Sequence, residues 1–159
     1  MSEAEYVVAW KKDDPQIAAD AIAVWNSTNS LPADINPEDR AKELCALAYI
    51  NGEVAGISTI AIRPYMPLGN RRFGFLRVFT LPRFEQQSIA IGLAITCRDA
   101  LRQWSIDNPA EKLYGMAAIY QSDKLGHYPI GESGLMLIGY GPNKEQIRVV
   151  WFNHLHLKA

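Results

Sequence analysis

Cysteine is scarce in this chain, and charge of neither sign prevails. Among 159 residues there are two cysteines, Cys45 and Cys97. They stand far apart in sequence and form no CxxC pair, which removes the common zinc and dithiol redox patterns. The reading is two reduced, buried thiols in a cytoplasmic protein. Sixteen basic residues meet seventeen acidic ones, for a net charge of −1. Nucleic-acid surfaces carry a basic excess, so DNA and RNA are not expected as main partners. No uninterrupted apolar run reaches the length that crosses a bilayer. The opening stretch "MSEAEYVVAWKKDD" has no cationic segment followed by a long apolar one, so no signal peptide is expected. Internal repeats and low-complexity tracts are lacking too.

What is there suits a real core. Apolar residues make up 48% of the chain, and the length fits one domain, 1–159. "EYVVAW", Glu5 to Trp10, reads as a first strand. A helix follows, with Asp14 as N-cap, Pro15 in its first turn, and Ile17, Ala21, Val24 and Trp25 on one face. Asn36 and Pro37 repeat that start signal for a short second helix. Asn51-Gly52, flanked by apolar runs, predicts a tight hairpin joining Ala46–Ile50 to Val54–Arg63. "RFGFLRVFTL" is the fourth strand. A polar turn, "PRFEQQS", then leads into a helix from about Gln87 to Trp104, with Ile91, Ala94, Ile95, Leu101 and Trp104 sharing a face. "KLYGMAAIY", "GLMLIGY" and "IRVVWFNHLH" read as the last strands, with a weak helical turn after the first of them.

The expected class is α/β (α+β mixed): a mixed, mostly antiparallel sheet with helices on both faces. The long helix suits a parallel crossover. A polar turn between strand and helix has two readings. One is a bare connection. The other is an anion site, because first-turn N–H groups lack intrahelical partners and the macrodipole is positive there.

Two stretches take the argument further. "LPRFEQQSIAIG", Leu81 to Gly92, has Pro82 and Phe84 and then small residues. "SDKLGHYPIGE", Ser122 to Glu132, contains Lys124-Leu125-Gly126 and Pro129-Ile130-Gly131-Glu132. With the element order, these resemble the GNAT (Gcn5-related N-acetyltransferase) superfamily, as a divergent member. That family has an Arg/Gln-x-x-Gly-x-Gly/Ala turn opening its long helix, and a "YEKLGFxPIGE"-like segment before the sixth strand. Two registers of the turn remain open. Without an insertion, Glu85, Ser88 and Ala90 fill the signature positions; with two inserted residues, Gln87, Ala90 and Gly92 fill them.

The resemblance implies acetyl-CoA, or another acyl-CoA, as cosubstrate and no metal. Its pyrophosphate would lie on the turn of Gln86, Gln87, Ser88, Ile89, Ala90, Ile91 and Gly92. Ile89 and Ile91 would anchor the helix to the sheet. Glu85 would repel phosphate unless turned to solvent or paired, with Arg83 as the neighbour to do so. Phe79, Thr80 and Leu81, at the end of the fourth strand, would flank the pantetheine arm. An amine of a small molecule or protein would attack the thioester directly, and an acid would protonate the thiolate. Where the family often has a tyrosine, this chain has Ser122, a much weaker acid. Tyr120, two residues earlier, is the other candidate, and packing at a strand end is its plainer role. A homodimer is the family habit. A binding protein on this fold that has lost catalysis is the alternative.

Other residues have a functional and a plain reading. His154 and His156 alternate and would share one face of a strand, as a metal pair would or as an exposed terminal strand would. His127 replaces an aromatic residue and should pack with a polar tip. Arg71 and Arg72 form a basic lip or a solvated loop, and Tyr65 and Met66 share that loop. The four tryptophans fall on separate elements, each with a place in a core.

Overall fold

The computed structural model describes residues 3–121 and 126–157 and, of Gln86 and Gln87, the backbone only. Ser122, a candidate acid, and the helical turn expected around Asp123 and Lys124 lie outside the described residues.

Seven strands form one sheet in the order β1-β2-β3-β4-β5-β7-β6. In chain order they are β1 (Glu5–Val8), β2 (Leu44–Ile50), β3 (Glu53–Tyr65), β4 (Arg71–Thr80), β5 (Leu113–Tyr120), β6 (Met136–Tyr140) and β7 (Gln146–Trp151). Helices α1 (Pro15–Thr28) and α2 (Pro37–Ala41) precede β2, and α3 (Ile89–Asp107) links β4 to β5. β4 and β5 are parallel, as a helical crossover allows. The pairs β1–β2, β2–β3, β5–β7 and β6–β7 are antiparallel. Contacts group the chain into two compact units, Met1–Ile60 with Arg77–Cys97, and Ala61–Leu76 with Arg98–Ala159.

In the first unit, local signals set the helix starts. Asp14 accepts from the N–H groups of Gln16 and Ile17 at 2.9 and 3.3 Å. Asn36 accepts from Asp39 N–H at 3.0 Å. Each cap precedes a proline, whose missing N–H costs nothing in a first turn. α1 buries Ile17, Ala21 and Trp25 against Leu44, Leu47 and Ile57. The hairpin turns at Asn51 and Gly52, both in the left-handed region as a type I′ turn requires. On β3, Gly56 follows the opposite alternation from Ile57 and meets Ile89 and Leu93 of α3. Helices therefore cover both faces of this half of the sheet.

The second unit pairs β4 with β5 from Arg72↔Leu113 to Leu76↔Ala118. Phe73 is fully buried there among Tyr65, Leu68, Tyr114 and Val149. Trp151 meets the Phe73 ring edge-on at 5.0 Å.

Several expectations shift. β1 stops at Val8, before the buried Trp10. α3 starts at Ile89 rather than Gln87, because Ser88 is left-handed (φ 57°) and closes a 3-10 turn over Pro82–Gln87. Ile89 anchors the helix as expected, but Ile91 is exposed. The buried stripe runs through Ile89, Leu93, Cys97 and Leu101, at intervals of four. β7 ends at Trp151, so His154 and His156 are not strand residues. His127 is exposed instead of packing.

Candidate functional site

The polar turn is built from β4 outward. β4 ends at Thr80, and Leu81 N–H donates to Ala55 O at 3.0 Å, tying the exit to β3. The 3-10 turn begins with Phe84 N–H to Leu81 O at 2.9 Å. Ser88 then reverses the chain, and the first i→i−4 bond of α3 runs from Gly92 N–H to Ser88 O at 3.2 Å. The N–H groups of Ile89, Ala90 and Ile91 precede that bond, so they lie in the turn that has no intrahelical acceptor. Ser88 and Ile91 are exposed and Ala90 half-buried.

The charged neighbours lie differently from expectation. Glu85 is exposed. Arg83 does not pair with it; its guanidinium bonds Glu53 at 2.6 Å and lies 4.7 Å above the Phe84 ring. What this turn offers an anion among the described groups is main-chain N–H, as at other helix starts.

Gly92 has a packing reason of its own. A β-carbon there would fall on the Tyr6 hydroxyl, so this glycine makes room for a tyrosine of β1. Burial pushes the Tyr6 phenol up from its ordinary value. Tyr6 carried no signal in the sequence beyond its place in an apolar strand. Phe79, Thr80 and Leu81 are half-buried, and the β4–β5 ladder, ending at Leu76↔Ala118, does not extend to them.

Just before them, Arg77 donates to Thr59 Oγ1 at 3.0 Å and to Glu43 at 2.6 Å. Arg40 reaches the same carboxylate at 3.7 Å. This cluster was not foreseen either. Nor was the meeting of the thiols: Ser58 Oγ is 2.9 Å from Cys97 Sγ, and a hydrogen bond with Cys97, with burial, pushes the Cys45 thiol well up.

In the second unit, Tyr120 ends β5 opposite Gln146 of β7. Burial holds its phenol above the ordinary value, against a smaller downward pull from the Arg148 charge. Arg148 is 2% exposed. The signal for it was a lone charge inside the apolar run "IRVVWF".

The remaining candidates are tied into structure. Arg71 donates to Leu68 O and Leu157 O at 3.2 and 2.8 Å, and Arg72 bonds Glu111, so neither forms a free lip. Tyr65 packs edge-on against Phe73 and Phe75, while Met66 is exposed. His154 Nε2 meets Ser105 Oγ at 3.0 Å. That hydroxyl already donates to Leu113 O, so Nε2 carries the proton. Among the described residues no three His, Cys, Asp or Glu side chains converge as metal ligands would. No described helix is long and apolar enough to cross a membrane.

The sequence matches no protein-family model and no curated protein. Solved structures do resemble it. An acetyltransferase of the GNAT family from Streptococcus pneumoniae aligns over 95% of this chain and 100% of its own, at 15% identity and TM-score 0.59. A putative acetyltransferase from Salmonella typhimurium, yncA, solved with its cofactor acetyl-CoA, aligns over 96% and 95%, at 13% identity and TM-score 0.59. A mutant AtaT toxin bound to the C-terminus of the antitoxin AtaR and acetyl-CoA aligns over 96% and 95%, at 13% identity and TM-score 0.62. The likeness is one of fold.

Proposed function

We propose that this chain, which has the fold of the GNAT acetyltransferases, is an acyl-CoA-dependent N-acyltransferase. The observation that carries the reading is the open first turn of α3. Its N–H groups at Ile89, Ala90 and Ile91 follow the 3-10 turn that leaves β4, beside an exposed Ser88. A pyrophosphate fits such donors without any cationic side chain. The Glu85 side chain is exposed. Gly92 has its N–H bonded to Ser88 O, which favours the register without an insertion.

Acetyl-CoA supplies an activated acetyl thioester, and this chain's groups do the rest. Phe79, Thr80 and Leu81 would flank the pantetheine arm, with the Leu81 N–H and carbonyl already bonded to Ala55 and Phe84. The neutral amine of the acceptor attacks the thioester carbon, the C–S bond breaks, and the amine nitrogen gives its surplus proton to solvent. Tyr120 donates its phenolic proton to the departing thiolate and takes one back from water. The products are an amide and CoA thiol.

A second reading is a binding protein that keeps the fold without the chemistry. Ser122 in the tyrosine position favours it, and the AtaT neighbour holds a protein segment. Calorimetric titration with acetyl-CoA and with CoA separates the two. Micromolar binding of either supports the cradle and opens a screen of amine acceptors. A folded protein that binds neither supports the second reading.

A further inference from the structure

Arg148 lies in the middle of β7 with its cross-strand neighbours Ala118 and Leu137 both apolar. Arg40, Arg72, Arg77, Arg83, Arg98 and Arg102 each meet a carboxylate. Arg148 meets none among the described residues. Its Nε donates to Gln146 Oε1 at 2.8 Å, and its terminal nitrogens donate to Leu135 O at 3.3 Å and Tyr128 O at 2.6 Å. Gln146 in turn donates to Gly126 O at 3.0 Å. A β-carbon on Gly126 would collide with that amide, so the glycine allows the approach. Arginine does not shed its proton when buried. A permanent cation therefore sits in the interior, met among the described residues by carbonyl and amide oxygens and a ring face, and burying a charge is costly.

That ring is Tyr120, whose centroid lies 5.1 Å from the guanidinium carbon. Two phenols share that face, Tyr120 of β5 and Tyr140 of β6, both opposite Gln146, and the guanidinium overlies the Tyr120 ring. A phenolate spreads its charge into the ring, so a guanidinium over the ring face attracts the ionised form more than the neutral one. From β7, Arg148 is the charged group facing Tyr120 and Gln146 is its neutral cross-strand partner; beyond Gln146, β6 contributes the exposed Tyr140, and on β5 itself Ala118 and Ile119 precede Tyr120.

We propose that Arg148 is a positioning residue for Tyr120: it fixes the ring by stacking and stabilises the phenolate left when the proton passes to the thiolate. This rests on the reading of Tyr120 as the acid. The bonds to Gly126, Tyr128 and Leu135 carbonyls give the guanidinium its fixed plane, through Gln146 for the first. Lysine cannot reproduce that fork.

Ultraviolet titration of the folded protein tests the coupling without any turnover. Subtracting the Tyr120→Phe titration isolates Tyr120. With Arg148→Met, its ionisation should move up by roughly half to one pH unit, and Arg148→Lys should restore part of the difference. Turnover should fall, with the alkaline limb of the kcat profile moving up in step and CoA affinity unchanged. Should Arg148→Met not fold, Arg148→Gln, neutral but still a donor to the carbonyls, carries the same test. An unmoved Tyr120 titration overturns the proposal. A moved titration with an unmoved kcat limb also overturns the role in turnover. An unaltered rate in Tyr120→Phe sinks the reading of Tyr120 as acid instead, and the titration still reports the coupling separately.

Discussion

Gly56 and Ile89 stand so close that a β-carbon on Gly56 would lie 2.7 Å from Ile89 Cγ2, with Leu93 Cδ1 at 2.9 Å. The first turns of α3 are thus pressed onto β3. Gly56→Ala should cost about 1–3 kcal/mol, the usual range for overpacking a filled core. It should also lower CoA affinity, since the turn must lift. Urea unfolding and calorimetry on the same variant check both.

Ser88 offers a variant in which stability and binding move apart. Its left-handed φ of 57° suits aspartate nearly as well as serine. A carboxylate just before α3 favours the helix macrodipole. The same charge repels a pyrophosphate. Ser88→Asp should therefore keep or raise thermal stability while weakening CoA binding about tenfold, some 1.4 kcal/mol. Equal affinity for CoA would remove the turn from the binding site.

Tyr49 makes stability fall in alkali. Its hydroxyl donates to Asp20 at 2.7 Å, and burial and that bond hold the phenol well above its ordinary value. The unfolded chain releases this proton near pH 10 while the folded one keeps it. The folded state then binds more protons, so stability is complete below about pH 10 and declines as pH rises beyond it. Tyr49→Phe should lower stability at neutral pH and flatten the alkaline decline. Denaturant midpoints across that range test it.

The thiols should be silent until the protein opens. Cys45 and Cys97 are both fully buried, and a raised pKa leaves Cys45 little thiolate. A thiol reagent should find neither cysteine in the native protein and both in denaturant, with a native rate set by opening. Rapid native labelling would contradict the core described for β2 and α3.

What the sequence made legible was local. Asp14, Asn36 and the Asn51-Gly52 turn act through bonds to residues two to four places away, so their neighbours in the chain suffice to read them. The resemblance in "LPRFEQQSIAIG" located the strand-to-helix turn correctly. It could not say which helical positions face the sheet, because that depends on the rotation of α3. Ile91 and Ile89 look alike in sequence, and Gly56, on another strand, decides which one is buried. The same holds for Arg148 and for the meeting of Cys45 with Cys97. Each is a relation between residues far apart in the chain, set by strand register rather than composition.

The seat of Tyr6 against Gly92 has a consequence for biosynthesis. β1 leaves the ribosome before its pairing partner β2, which begins at Leu44, and well before α3, which carries the surface that receives Tyr6. β1 can pair with β2 once Ile50 has been made, but Tyr6 finds its seat only when Gly92 of α3 follows. Folding of the first turns of α3 and the seating of Tyr6 are therefore one late event, and a translation pause before Gly92 would prolong the time that β1 is held by β2 alone.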